Sequence, residues 1–254
     1  MQKSIVTTLQ DRVMRISMND GQKNLITPTM IREVNQALDL ANDENAVVLL
    51  TGEGSIFSAG FDLKILKTGI TDAFMMLNGA FRLAARLLSF PTPVVIACNG
   101  HSVAMGCFLL LTGDYRLGTT GKYKIVANEV AIGLTVPEAA IEICRQRLTP
   151  HYFERAMIIA EEFSPQSAIS AGFLDRLVPP NKLNEEATFL AKHLVELDFK
   201  AHWRTKMRVR HHALKALNRA IRADNKDYLI QGANRLLKYP SMTKKVSRHQ
   251  PNDG

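Results

Sequence analysis

Residues 99–114 read Asn-Gly-His-Ser-Val-Ala-Met-Gly-Cys-Phe-Leu-Leu-Leu-Thr-Gly-Asp, with no acidic residue, lysine or arginine before Asp114. The preceding run, Val94–Cys98, is wholly apolar, as expected of a strand buried on both faces. A buried strand that turns at Gly100 into an uncharged run predicts a helix starting inside the protein. The first amides of such a helix lack intrahelical partners and sit at the positive end of its dipole. The turn can hold an anion or a developing negative oxygen, or it can simply feed a core helix.

The pattern occurs twice. Residues 47–51 form a second apolar run, ended by Gly52 and followed by the loop Glu53-Gly54-Ser55-Ile56-Phe57-Ser58-Ala59-Gly60-Phe61-Asp62-Leu63-Lys64 and then a helical stretch over 71–89. Strand, glycine-bearing loop and helix in alternation is the signature of an α/β fold, which places its sites at the carboxyl ends of the strands. Residues 5–9 and 13–18 predict an opening hairpin. Thr27-Pro28 caps a helix to about residue 42. Strand-like segments follow at 115–117, 123–126 and 174–178, an apolar run at 130–134, and helices after Pro137, Pro150 and Ser164. From Leu183 the pattern is helical almost to Pro240, with a polar end expected to fray.

The 254 residues, 46% hydrophobic and 22% charged, suit a globular protein. No apolar run approaches the roughly 18 to 20 residues of a membrane span. The N-terminus begins as a strand without an apolar leader, which predicts no secretory signal. Cys98, Cys107 and Cys144 stand in apolar contexts without metal-ligand spacing, so no metal is expected, and they read as reduced core thiols of a cytoplasmic protein. The net charge of +8 belongs to residues 200–254, which hold 14 Lys or Arg against 3 Asp or Glu. That tail suits either a solvated helix face or contact with phosphates. With one Trp in the chain, it argues against a stacking surface for single-stranded nucleic acid.

Ser58-Ala59-Gly60-Phe61-Asp62-Leu63, Asn99-Gly100 through Gly106-Cys107, and Asn128-Glu129 followed by Ile132-Gly133 come in order. With Phe163-Ser164-Pro165-Gln166-Ser167-Ala168, Ala171-Gly172-Phe173-Leu174-Asp175 and Val178-Pro179, they resemble the crotonase (enoyl-CoA hydratase/isomerase) superfamily from about residue 3 to 180. The resemblance implies a ClpP-like spiral of ββα units over 1–195 and a helical trimerisation region over 196–254, assembled as a homotrimer or hexamer. It implies an acyl-CoA substrate, with coenzyme A as part of that substrate and no further cofactor. Two backbone amides for a thioester enolate carry over to Phe61 and Met105. Contacts to the substrate carry over to Lys23, Asn24 and Leu25, to Ser58, Ala59, Gly60, Asp62, Leu63 and Lys64, and to Gly106 and Phe108.

Hydratases of this family use two glutamates. One matches Glu129; the other position holds Phe108, which can neither hold nor activate water. A single carboxylate suffices to carry a proton from C2 to C4 of a 3-enoyl-CoA, and the sequence looks closer to the Δ3,Δ2-enoyl-CoA isomerases. Hydration or another reaction of the family using Glu138 or Asp62 is the alternative, as is an acyl-CoA or RNA-binding member impaired in catalysis. Met105 stands where the family usually carries glycine, which raises the question of whether its side chain crowds the thioester. His101, near the turn, is expected to pack there, with contact to substrate as the alternative.

Overall fold

The structure is a computed structural model and describes residues 3–238; the end expected to fray lies outside them. Strands β1 (Ile5–Gln10) and β2 (Val13–Met18) form the expected hairpin. It reverses at Asp11 and Arg12, both at positive φ, as a two-residue hairpin turn matching the strand twist requires. Helix α1 (Pro28–Asp43) begins with Thr27 Oγ1 accepting the Met30 amide at 3.1 Å and proline in the first turn.

Three rounds of one plan follow. Strand β3 (Val47–Gly52) leads to β4 (Ile56–Ser58) and then α2 (Leu63–Thr68) and α3 (Ile70–Leu88). Strand β5 (Val94–Cys98) leads to β6 (His101–Val103) and α4 (Met105–Leu110). Strand β7 (Tyr115–Thr119) leads to β8 (Ile125–Val126), a 3-10 turn at Val130–Ile132, and α5 (Glu138–Arg145). Helices α6 (Pro150–Ile158) and α7 (Pro165–Ala171), strand β9 (Arg176–Val178), and helices α8 (Leu183–Leu194), α9 (Phe199–Val209) and α10 (His211–Lys238) complete the described chain.

The first strand of each round enters a six-stranded sheet, β1-β2-β3-β5-β7-β9, and the second enters a three-stranded sheet, β4-β6-β8. All pairings are parallel except β1 with β2. The chain therefore advances as the expected spiral of ββα units. Side chains alternate across the large sheet. Val48, Leu50, Val94, Ile96 and Cys98 face the main core, while Val47, Leu49, Val95, Ala97 and Leu117 face Leu183, Ala187 and Ala191 of α8. Burial on both faces explains why β3 and β5 read as unbroken apolar runs.

Three expectations change. The turn at Gly100 does not pass directly into a helix; β6 intervenes, with the His101 amide donating to Ser55 O at 3.2 Å and the Ser102 amide to Lys124 O at 3.0 Å. The helix expected over 71–89 extends back through α2, begun where Asp62 Oδ1 accepts the Lys64 amide at 2.8 Å and interrupted at Gly69. The apolar run 130–134 lies at the surface rather than in the core: Val130, Ile132 and Leu134 are exposed.

Part of the tail's positive charge is committed inside the molecule. Lys206 Nζ, 2.6 Å from Asp114, also donates to Phe90 O at 2.9 Å and Thr92 O at 3.0 Å. Arg210 reaches Asp114 at 2.9 Å and Leu88 O at 2.7 Å. Those contacts bind α9 to the ends of α3 and β5, so these two cations are structural.

Candidate active site

Two turns that carry most of the expected site residues are pressed together by their glycines. A Cβ on Gly60 would lie 2.8 Å from Val103 O and 3.2 Å from the Met105 nitrogen, and Gly60 has φ +86°. A Cβ on Gly106 would lie 2.4 Å from Ser58 O. Only the absence of side chains lets the ends of β4 and β6 approach this closely. The Phe61 and Met105 amides, expected to act together, therefore follow and begin two interlocked turns.

The loop at Lys23, Asn24 and Leu25 is tied to the same place. Asn24 is buried and its Nδ2 donates to Ile56 O at 2.7 Å, while Asn24 O accepts Ser58 Oγ at 2.7 Å. The Ala59 amide donates to Lys23 O at 3.0 Å and the Ile26 amide to Gly60 O at 2.8 Å. Asp20 holds the loop itself, accepting the Gln22, Asn24 and Leu25 amides at 2.8, 2.9 and 2.7 Å. Lys23, Leu63 and Lys64 are exposed at the rim, where cationic heads can meet solvent or phosphate. Asp62 is occupied as the α2 cap, and Glu138 lies exposed on the first turn of α5.

Met105 does not protrude into the turn. Its side chain is fully buried in the main core, and its helical backbone needs no glycine. The unusual conformation falls on Ala104, with φ 50° and ψ −123°, a geometry that favours glycine. Alanine carries no turn signal, so nothing in the sequence marked this residue. His101 packs as expected, edge-on to Tyr123 with centroids 6.3 Å apart, and its Nδ1 accepts the Lys124 amide at 3.3 Å.

Strand β8 pairs with β6 through Val126 and Val103, and the Ala104 amide donates to Val126 O at 2.9 Å. Glu129, three residues further on, is thereby carried to the start of α4. It is 7% exposed, its Oε2 is buried without a hydrogen-bond partner, and burial pushes its carboxyl up to about 6, tempered by its own backbone amide. The Cys107 and Cys144 thiols and the Tyr228 phenol lie within its electrostatic reach. All three cysteines are free and buried, and burial raises Cys98 to about 12.

Phe108 is fully buried and stacks on Phe81 with centroids 6.5 Å apart, while Phe81 meets Phe61 edge-on at 6.3 Å. An aromatic row thus runs from the Phe61 turn to α4. Sequence reasoning missed Phe81, Tyr228 and the two thiols, because long-range packing alone brings them here. Two surface clefts, of about 530 and 470 Å³, lie elsewhere, the first beside Arg12 and the second beside Asp114 and Lys206. The second is lined by the Asp114 ion cluster, and neither is lined by residues of the converging turns. Among the described residues no cluster of three metal-ligating side chains occurs, and no helix is long and apolar enough to cross a membrane.

The comparisons with known proteins agree with this architecture. A rat protein described as mitochondrial enoyl-CoA hydratase domain-containing protein 3 is 27% identical over 75% of this chain, and the match spans 65% of that relative's length. An Arabidopsis thaliana peroxisomal enoyl-CoA delta isomerase 1 is 25% identical over 65% of this chain and 71% of its own. Among solved structures, an enoyl-CoA hydratase from Mycobacterium marinum superposes with a TM-score of 0.85 at 41% identity, covering 89% of this chain and 99% of that one. An enoyl-CoA isomerase from Mtb gives 0.85 at 42%, covering 88% and 98%. The family model described as enoyl-CoA hydratase/isomerase matches residues 8–243. With the ββα spiral and nearly the whole chain matched, this protein belongs to the enoyl-CoA hydratase/isomerase family.

Proposed function

We propose that the protein moves the double bond of a 3-enoyl-CoA to give trans-2-enoyl-CoA. Glu129 removes a proton from C2, the electrons spread into a dienolate, and the same carboxyl returns the proton to C4. The Phe61 and Met105 amides receive the charge that develops on the thioester oxygen; donors of this kind are commonly worth about 10² to 10³ in rate. Lys23, Asn24, Leu25, Ser58, Ala59, Gly60, Asp62, Leu63, Lys64, Gly106 and Phe108 make up the surroundings of the acyl-CoA. Coenzyme A enters as part of the substrate, with no separate cofactor.

One observation carries this reading: Glu129 is a buried carboxylate beside the converging turns, and Phe108, which stands where the family resemblance puts a second glutamate, is a buried aromatic ring. Burial also brings the Glu129 carboxyl near 6, close to the pH at which a group can both take and return a proton. Relatives named as hydratases favour hydration as the second reading. A binding protein that has lost catalysis is less supported, because Lys206 and Arg210 of the basic tail are committed internally.

The test supplies paired 3-enoyl-CoA and 2-enoyl-CoA substrates. Isomerisation is expected, reduced about 10² to 10⁴-fold in Glu129→Gln. Rapid formation of 3-hydroxyacyl-CoA that Glu129→Gln leaves untouched overturns the proposal. We further propose a homotrimer or hexamer, to be checked by light scattering, in the cytoplasm, whose reducing conditions suit three free buried thiols.

A further inference from the structure

The rotation of α10 is set by Asp224. Its carboxylate accepts the Glu138 and Ala139 amides, each at 2.9 Å, capping α5 from another helix. Leu214, Leu217 and Ile221 on the same stripe are buried in the main core. One turn beyond Asp224, Tyr228 lies on that stripe too, since residues four apart share a helix face. It is half-buried, and its phenol lies within electrostatic reach of Asp224, Glu129 and Asp227.

A buried carboxylate oxygen without a partner is rare, because it forfeits the full cost of its desolvation. Glu129 Oε2 is such an atom. The titratable groups within electrostatic reach of Glu129 are Cys107 from α4, Cys144 from α5, and Tyr228 from α10, with Asp224 and Asp227 acting on the phenol in turn. Thiols are weak donors and carboxylates accept only, so the phenol is the one strong donor in this set.

We propose that Tyr228 is a positioning residue for Glu129, its hydroxyl donating a hydrogen bond to Oε2 in the working enzyme and leaving Oε1 to meet the substrate's C2 and C4 protons. The proposal rests on Glu129 being the proton-moving group. Tyr228 touches no reacting atom and acts through the carboxylate. Its phenol, raised to about 12 by burial and nearby carboxylates, stays protonated over the working range and remains a donor.

The test reads the carboxyl directly. Infrared difference spectra between acid and alkaline pH give a protonated-carboxyl band for Glu129, assigned by its loss in Glu129→Gln. In Tyr228→Phe its midpoint is expected to rise by about one pH unit, the worth of a lost hydrogen bond to a charged group. The acidic limb of kcat/KM should move with it, giving about a tenfold loss below the midpoint and little loss at alkaline pH. Tyrosine carrying a ¹³Cζ label provides a second readout in the unmutated protein: the Tyr228 resonance should shift with the Glu129 midpoint and stop doing so in Glu129→Gln. An unchanged midpoint in folded Tyr228→Phe, or a Tyr228 resonance indifferent to Glu129, overturns the proposal. Should the protein fail to convert 3-enoyl-CoA, the isomerase reading falls, while the spectroscopic midpoints still decide the role of Tyr228.

Discussion

The Asp114 carboxylate and the Lys206 ammonium face each other at 2.6 Å, with the lysine side chain 3% exposed, at the edge where β5 begins. Asp114 also accepts the Val94 amide at 2.8 Å and pairs with Arg210 at 2.9 Å. Asp114→Asn leaves two buried cations without their counter-charge and should cost about 3 to 5 kcal/mol. Lys206→Met leaves Asp114 paired with Arg210, and its loss should be smaller. Urea unfolding of both variants checks this order; equal stabilities would mean that the cluster does not anchor α9.

On the proposed mechanism, Glu129 trades stability for chemistry. Its carboxyl titrates near 6 in the folded chain against an ordinary value of 4.5. Between those two values the folded state holds a proton that the unfolded state has released, so stability falls as pH rises through the window. Above it, ionising the buried group costs about 2 kcal/mol. Glu129→Gln should therefore unfold at higher denaturant than the parent at pH 8 and gain little at pH 4, with activity reduced about 10² to 10⁴-fold. A variant less stable at pH 8 would refute the assignment of the cost to burial.

Ala104 holds φ 50° just ahead of the Met105 amide. Ala104→Gly removes the clash that a Cβ suffers there and should stabilise the fold by about 1 kcal/mol, read as a higher melting temperature. If this turn aims the amide at the thioester oxygen, the freed backbone should lower kcat while leaving KM for the acyl-CoA nearly unchanged. A fall in melting temperature would contradict the strain.

Gly106→Ala tests the contact between the two turns. The added carbon would stand 2.4 Å from the Ser58 carbonyl, a backbone atom that cannot swing aside. Overpacking of this kind should cost about 1 to 3 kcal/mol and separate the turns that carry Phe61 and Met105. Activity should fall further than stability accounts for, as seen by comparing kcat/KM with the folded fraction. Unaltered activity would dissociate these turns from catalysis.

Much of this was legible along the chain, for identifiable reasons. Strands β3 and β5 are buried on both faces and so appear as uninterrupted apolar runs. Helix α7 announces both ends, Ser164 Oγ accepting the Ser167 amide at 3.2 Å and Gly172 closing it at φ +96°. Strand β6 has three residues, too few to display a period. The grouping of Ser58, Gly60, Phe61, Met105 and Glu129 followed from motif resemblance, whereas Phe81, Asp224 and Tyr228 meet them only through the path of α3 and α10. The basic tail misled in part, since composition cannot reveal that Lys206 and Arg210 are turned inward.

The cap that Asp224 places on α5 gives the molecule a timetable. Amides of Glu138 and Ala139 wait for an acceptor made 85 or more residues later in the chain. During synthesis the β-strands, the interlocked turns and Glu129 all leave the ribosome first. The helix that follows Glu129 is left with an unfinished end until α10 arrives. A nascent chain halted before residue 224 would hold every strand of the spiral and still lack the acceptor that closes the helix after Glu129.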